Sequence, residues 1–152
     1  MDKLFLLDAY ALIFRAYYAF IKNPRYNSKG ENTSAILGFV NTLEDVLRNM
    51  QPTHLGVAFD PHGGTFRHEK YDSYKATRHG MPEELAMQMP VMKDVLRAMN
   101  IPIYECQGWE ADDVIGTVGK ICSNNSWECV VVTGDRDSLQ LIDENVHIKL
   151  VI

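Results

Sequence analysis

The feature that most constrains this chain is a regular alternation of short apolar runs with longer stretches of helical spacing. LFLL (4–7), LGVAF (55–59), IPIY (101–104), CVVV (129–132) and VHIKLV (146–151) each have the length and side-chain content of a buried strand. Between them, Ser34 to Met50 sets Ile36, Phe39, Val40, Leu43, Val46 and Leu47 on one helical face, with Thr33 or Ser34 placed to cap it. Pro82 opens a second helix with Glu83 and Glu84 in its first turn, where the helix dipole favours acids. A third begins near Glu110 and runs through Ile115 and Val118 to Cys122, ending in a Ser-Asn-Asn-Ser turn. Strands separated by helices predict an α/β fold of three layers, a mostly parallel central sheet with helices on both faces.

Residues 4–21 are apolar enough to imitate a targeting signal or a membrane span, but Asp8 and Arg15 interrupt them. The run reads as a strand passing into a helix, and nothing else approaches the ~20 apolar residues a span requires. The 152 residues suit one domain, with no repeat, linker or internal break. Three cysteines without C-x-x-C spacing argue against a disulfide framework or a zinc knuckle and for a reducing, cytoplasmic setting.

The acids carry the functional signal. Asp8 follows LFLL, Asp60 follows LGVAF, and Asp135 follows VVVTG, with Asp137 two residues on. Glu110, Asp112 and Asp113 come shortly after IPIY, in a loop and first helical turn. Each then lies near the carboxyl end of a parallel strand, the edge at which open α/β sheets bind ligands. Carboxylates so gathered repel one another unless a cation compensates, and an all-oxygen donor set suits Mg²⁺ or Mn²⁺. Two such ions, about 3.5–4 Å apart, can activate a water and hold the leaving oxygen of a phosphodiester. The competing reading is that each acid is a helix cap or a turn residue, Asp60-Pro61 being a common turn pair.

The segment from Pro61 to Gly80 is irregular and reads as a mobile surface segment. It holds four bases, two acids and three of the five histidines, whereas Glu105–Asp113 holds four acids and no base. If residues 67–78 are helical, Arg67, Tyr71 and Lys75 form one stripe and Lys70, Tyr74 and Arg78 the next. Cations interleaved with tyrosines can meet phosphates and stack bases; a solvated charged helix is the plainer alternative. No G-x-G-x-x-G or P-loop pattern occurs, so a nucleotide cofactor lacks support. Met81, Met87, Met89 and Met92 are expected to pack a helix, and Trp109 to anchor its loop.

Taken together, FLLDAYALIFRAYYAF, VAFD followed by TFRHEKYDSYKATR, then GWEADDVIGT and TGDRDSLQL resemble the 5′-nuclease (5′-3′ exonuclease) domains at the N-terminus of bacterial DNA polymerase I. Those domains fall in the flap-endonuclease, PIN-like superfamily, and the resemblance runs over essentially the whole chain. It implies metal-dependent hydrolysis of flap, nicked or RNA-primed DNA in replication and repair, with Mg²⁺ or Mn²⁺ as cofactor. It implies Asp8, Asp60, Glu110, Asp112, Asp113, Asp135 and Asp137 as metal ligands. Arg67, Lys70, Tyr74, Lys75 and Arg78 become DNA contacts in an arch over 61–80, with Lys75 and Arg78 near the scissile phosphate.

Two departures stand out. Asp8 is followed by Ala-Tyr where many relatives have Gly, and the chain stops before the helix–hairpin–helix region that grips duplex DNA and supplies further aspartates. The expectation is therefore a catalytic core, residues 1–152, from a longer chain with a possible polymerase module, able to bind metal but to cleave weakly if at all. A PIN-type ribonuclease would be shorter and lack Y-K-x-x-R. A phosphatase-type site would want D-x-D directly after the first strand, where this chain has Asp8-Ala9-Tyr10. A non-catalytic DNA-binding module with an inert acidic edge would not respond to metal.

Overall fold

The computed structural model describes residues 2–61 and 81–151. The basic-arch reading of 61–80, with Arg67, Lys70, Tyr74, Lys75 and Arg78, lies outside the described residues except for Pro61.

Five strands form one parallel sheet in the order β3-β2-β1-β4-β5: β1 Lys3–Asp8, β2 His54–Ala58, β3 Ile103–Tyr104, β4 Glu128–Thr133 and β5 Val146–Leu150. Every pairing is parallel, so the expected α/β/α architecture is the one observed. From the central strand the chain winds outward to β3, then returns to the other side of β1 for β4 and β5. The topological reversal falls between the carboxyl ends of β1 and β4, where crevices form in such sheets.

Alternation along the strands divides the core in two. Phe5, Leu7, Val57, Phe59 and Val132 face α1 (Ala9–Ala19), α2 (Ser34–Asp45), the short α3 (Glu83–Ala86) and α4 (Gln88–Ala98). Leu4, Leu6, Ala58, Cys129 and Val131 face α5 (Ala111–Asn124) through Ala111, Ile115 and Cys122. Asp8 therefore continues the Leu4–Leu6 row toward α5. No helix among the described residues is long and apolar enough to cross a membrane.

Three local departures have physical causes. The strand expected over 101–104 shrinks to two residues because Pro102 has no N–H for a ladder; its carbonyl still accepts from Val57 N at 3.0 Å, as an edge position allows. The helix expected over 34–50 leaves α geometry after Asp45, continues as a π turn over Val46–Met50 and ends at Gln51 in a left-handed conformation (φ 46°).

The third departure is the cap of α2. Neither Thr33 nor Ser34 caps it: Ser34 Oγ instead accepts from Arg25 N at 2.9 Å. The first-turn amides of Ala35 and Ile36 go to Gln88 Oε1, at 3.0 and 3.1 Å, from a residue on α4. Met89 and Met92 pack the core as expected, but Met87 is exposed.

The α1–α2 crossing is tight at Gly38, where an added Cβ would collide with the Ala16 Cβ and lie 3.3 Å from its Cα. Gly38→Val is expected to destabilise the fold by about 1–3 kcal/mol, because helix backbones must separate to admit it. Denaturant midpoints of the two proteins measure this.

Candidate metal centre at the carboxyl edge of the sheet

Asp8 is the last residue of β1, 4% exposed, at the topological reversal. It occupies the N-cap position of α1 without a capping hydrogen bond, although the nearby Ala11 amide favours its charged form. Its Oδ2 instead accepts from the Thr133 hydroxyl at 2.9 Å, across the β1–β4 boundary. Burial, foremost, and then the charges of Asp112 and Asp60 push its carboxyl up to about 7 from the ordinary 3.8. Asp60, half-buried two residues past β2, accepts from the Ala111 amide through Oδ1 at 2.7 Å and so fixes the start of α5 beside Asp8.

The acids around α5 divide between capping and exposure. Glu110, buried, is its N-cap in a capping box with Asp113, whose Oδ2 accepts from Glu110 N at 3.1 Å. Asp112 is exposed in the same first turn and acts electrostatically on Asp8. Glu110, Asp112, Asp113 and Asp137 line one groove between α5 and a 3-10 helix over Arg136–Leu141. Asp135 caps that 3-10 helix, its Oδ1 accepting from Asp137 N at 2.9 Å.

The cap and turn roles weighed for Glu110, Asp113 and Asp135 are thus real, and they coexist with convergence on one edge. Asp8, Asp60 and Asp112 share one electrostatic neighbourhood; Glu110, Asp112, Asp113 and Asp137 share one groove; Asp112 belongs to both. Among the described residues, no three acids, imidazoles or thiols stand close enough to hold a cation in this arrangement. Like charges on one edge repel, and several of these acids accept backbone amides instead of drawing together. Glu105, by contrast, turns away to Lys93, at 3.0 Å.

Sequence reasoning passed over two residues. Thr133 was visible only as part of T-G-D, and nothing in local spacing announced its bond to a residue 125 positions earlier. Burial, followed by the charges of Asp60 and Glu105, pushes the Tyr10 phenol up, so it stays a neutral hydroxyl.

The donor set is all oxygen, which suits a hard divalent ion, and burial first, then the charges of Asp112 and Asp60, raise the Asp8 carboxyl. A raised carboxyl stabilises the fold in its protonated form, a contribution present below pH 4 and lost as pH rises to about 7. The full shift corresponds to roughly 4 kcal/mol. The metal-free melting temperature is therefore expected to fall between pH 5 and pH 8. Added Mn²⁺ should raise it more at pH 8 than at pH 5, which scanning calorimetry at both pH values measures.

Comparison with known proteins identifies the family. Residues 3–151 match the family model for the 5′-3′ exonuclease N-terminal resolvase-like domain. DNA polymerase I of Caldicellulosiruptor bescii is 42% identical over 149 residues, 98% of this chain and 17% of the relative. DNA polymerase I of Bacillus caldotenax is 40% identical over 148 residues, 97% of this chain against 17% of the relative. The chain thus spans about a sixth of these relatives.

The fold also matches bacteriophage T5 5′-exonuclease solved with zinc ions (TM-score 0.66, 21% identity, 95% of this chain and 54% of that one). It matches, too, the bacteriophage T5 flap endonuclease solved with DNA and metal ions (TM-score 0.65, 20% identity, 97% and 54%). Identity at that level speaks to the fold, whereas the family match runs almost end to end. The chain belongs to the 5′-3′ exonuclease family, whose N-terminal resolvase-like domain it forms from residue 3 to residue 151.

Proposed function

We propose that this chain is the catalytic core of a divalent-metal-dependent 5′-nuclease that hydrolyses phosphodiester bonds in flap, nicked or RNA-primed DNA. Its parent would be a cytoplasmic chain of the DNA polymerase I type, acting in replication and repair. One observation carries the reading: a buried carboxyl, Asp8, at the β1–β4 reversal, on the same sheet edge as the groove lined by Glu110, Asp112, Asp113 and Asp137. A site that concentrates negative charge where sheets of this order bind ligands is suited to a cation that in turn binds phosphate.

In this reading Asp8, Asp60, Glu110, Asp112, Asp113, Asp135 and Asp137 would together hold Mg²⁺ or Mn²⁺. Bound there, the ions would stabilise charge on the phosphoryl oxygens and lower the pKa of a nucleophilic water. The protein's own part is to fix the carboxylates. The Ala111 amide orients Asp60, the capping box orients Asp113, and Thr133 orients Asp8. Arg67, Lys70, Tyr74, Lys75 and Arg78, outside the described residues, supply cations and an aromatic ring to the DNA strand, with Lys75 and Arg78 nearest the scissile phosphate.

The test is cleavage of a 5′-flap DNA by a chain extended to the length of its DNA polymerase I relatives, with Asp113→Asn alongside. Cleavage should require Mg²⁺ or Mn²⁺, and the variant should lose at least ~100-fold in rate at an unchanged melting temperature. Undiminished cleavage by Asp113→Asn would remove that residue from the site. Cleavage indifferent to chelator would remove the metal.

A further inference from the structure

We infer that Thr133 is a positioning residue of this site, its hydroxyl holding the Asp8 carboxylate while the Asp135 amide holds the hydroxyl. The inference rests on the metal-dependent reading above and extends it to a residue that touches neither metal nor DNA.

The geometry gives the hydroxyl a definite role when Asp8 is ionised. Thr133 ends β4 and has no exposure to solvent. Its Oγ1 accepts from Asp135 N at 3.0 Å and stands 2.9 Å from Asp8 Oδ2. A hydroxyl has one proton. With the Asp135 amide donating into the oxygen, that proton is left to point at Asp8, whose Oδ2 accepts it. The bond is therefore polarised in one direction, from the turn after β4 to the end of β1.

The surroundings offer Asp8 little side-chain alternative. Its register partner on β2 is Ala58, a methyl, and the partner of Thr133 on β5 is Leu150. In this row across the sheet Asp8 and Thr133 are adjacent polar side chains, while Tyr104 on β3 is set apart from Asp8 by Ala58. A carboxylate free to rotate about its last torsion samples several orientations, because torsions at planar carbons are broad. Fixing one oxygen to a buried hydroxyl removes that freedom and presents the group in one orientation.

The same hydroxyl also ties together two parts of the edge that different strands supply. Asp135 caps the 3-10 helix that places Asp137 in the groove with Glu110, Asp112 and Asp113. Removing the hydroxyl would loosen Asp8 and leave the Asp135 amide without this acceptor. Both faults lie at the edge proposed to hold metal, and neither opens a cavity. Partners that orient metal-binding carboxylates commonly affect metal affinity or activity by about 10–100-fold.

The test is a Mn²⁺ titration by calorimetry at 10 °C on wild type, Thr133→Val and Thr133→Ser, with the melting temperature of each recorded separately. Valine keeps the shape and removes the hydroxyl; serine keeps the hydroxyl and removes the methyl. Thr133→Val should bind Mn²⁺ about 10–100-fold more weakly, and Thr133→Ser should stay within about threefold of wild type. This contrast should hold even if both variants melt lower, since a merely structural role would follow the melting temperature and not the hydroxyl. Equal affinity in wild type and Thr133→Val would overturn the inference while leaving the metal site standing. Equal weakening in both variants would assign the effect to the methyl group and overturn it too. A wild type that fails to bind Mn²⁺ would instead overturn the metal reading, and this inference with it.

Discussion

Asp8→Asn is expected to raise the stability of the metal-free protein and at the same time to abolish its function. The two effects have opposite signs and one cause. Asp8 is buried at the end of the central strand, and burial together with Asp112 and Asp60 penalises its charge. At pH 8 the fold bears most of that penalty, and asparagine removes it. The amide oxygen still accepts from the Thr133 hydroxyl, so the packing row through Ala58, Asp8 and Thr133 survives.

With a gain of up to about 4 kcal/mol and ~2–4 °C per kcal/mol for a chain of this size, the metal-free melting temperature should rise by several degrees. The fall in stability between pH 5 and pH 8 should flatten. If Asp8 is a ligand in the proposed metal site, its loss should meanwhile remove several kcal/mol of transition-state stabilisation, about a thousandfold in the proposed cleavage rate. A variant that loses cleavage and also loses stability would mean that Asp8 supports the fold rather than the chemistry.

The second large effect is purely structural. Gln88 is 2% exposed, and its side chain makes four hydrogen bonds. Oε1 accepts from Ala35 and Ile36 N–H at the start of α2, while Nε2 donates to Asn32 Oδ1 and to Glu84 O. It thereby caps the Ala35 and Ile36 amides, beyond the Ser34 amide that Asn32 Oδ1 takes, and ties that helix to the elements that follow residue 80. Gln88→Leu has nearly the right volume but leaves the Ala35 and Ile36 amides without this acceptor and removes the donor to Asn32 and Glu84.

An unsatisfied buried group costs about 1–3 kcal/mol, and part of this array reaches solvent, so a loss of ~3 kcal/mol is expected. That corresponds to roughly 6–12 °C in melting temperature. Gln88→Glu should fall between the two, because its carboxylate still accepts both amides and suits the positive end of the helix, but cannot donate to Asn32 or Glu84. A Gln88→Leu protein melting within a degree of wild type would show that Thr33 or Asn32 takes over the cap.

Particular residues show why some of this was legible in the sequence and some was not. The strand ends were, because apolar runs of four to six residues stop at a charge, and Asp8, Asp60 and Asp135 are those charges. Parallel order followed from helices lying between the strands, and that order alone puts the strand-end acids on one edge. The cap of α2 was not legible. Thr33 and Ser34 have the right chemistry in the right place, yet a glutamine more than fifty positions away wins because it brings one acceptor to two amides.

Thr133 escaped for the same reason, its partner being distant in sequence and adjacent in the sheet. The capping box at α5 was half visible. Acids in a first turn are easily explained by the dipole, but only the structure shows Asp113 reaching back to the amide of Glu110. The 3-10 helix over Arg136–Leu141 has too little apolar periodicity to be seen beforehand, although it is what carries Asp137 to the groove.

The central claim, that the acids at the carboxyl edge form a cation site, is tested most directly by calorimetric titration of the chain with Mn²⁺ at pH 8, wild type against Asp8→Asn. Saturable binding by wild type, weakened tenfold or more on the order expected for loss of a ligand, is the expected result. Identical isotherms for the two proteins, or no binding by wild type at millimolar Mn²⁺, would contradict it and leave Glu110, Asp113 and Asp135 as the helix and turn caps that they already are.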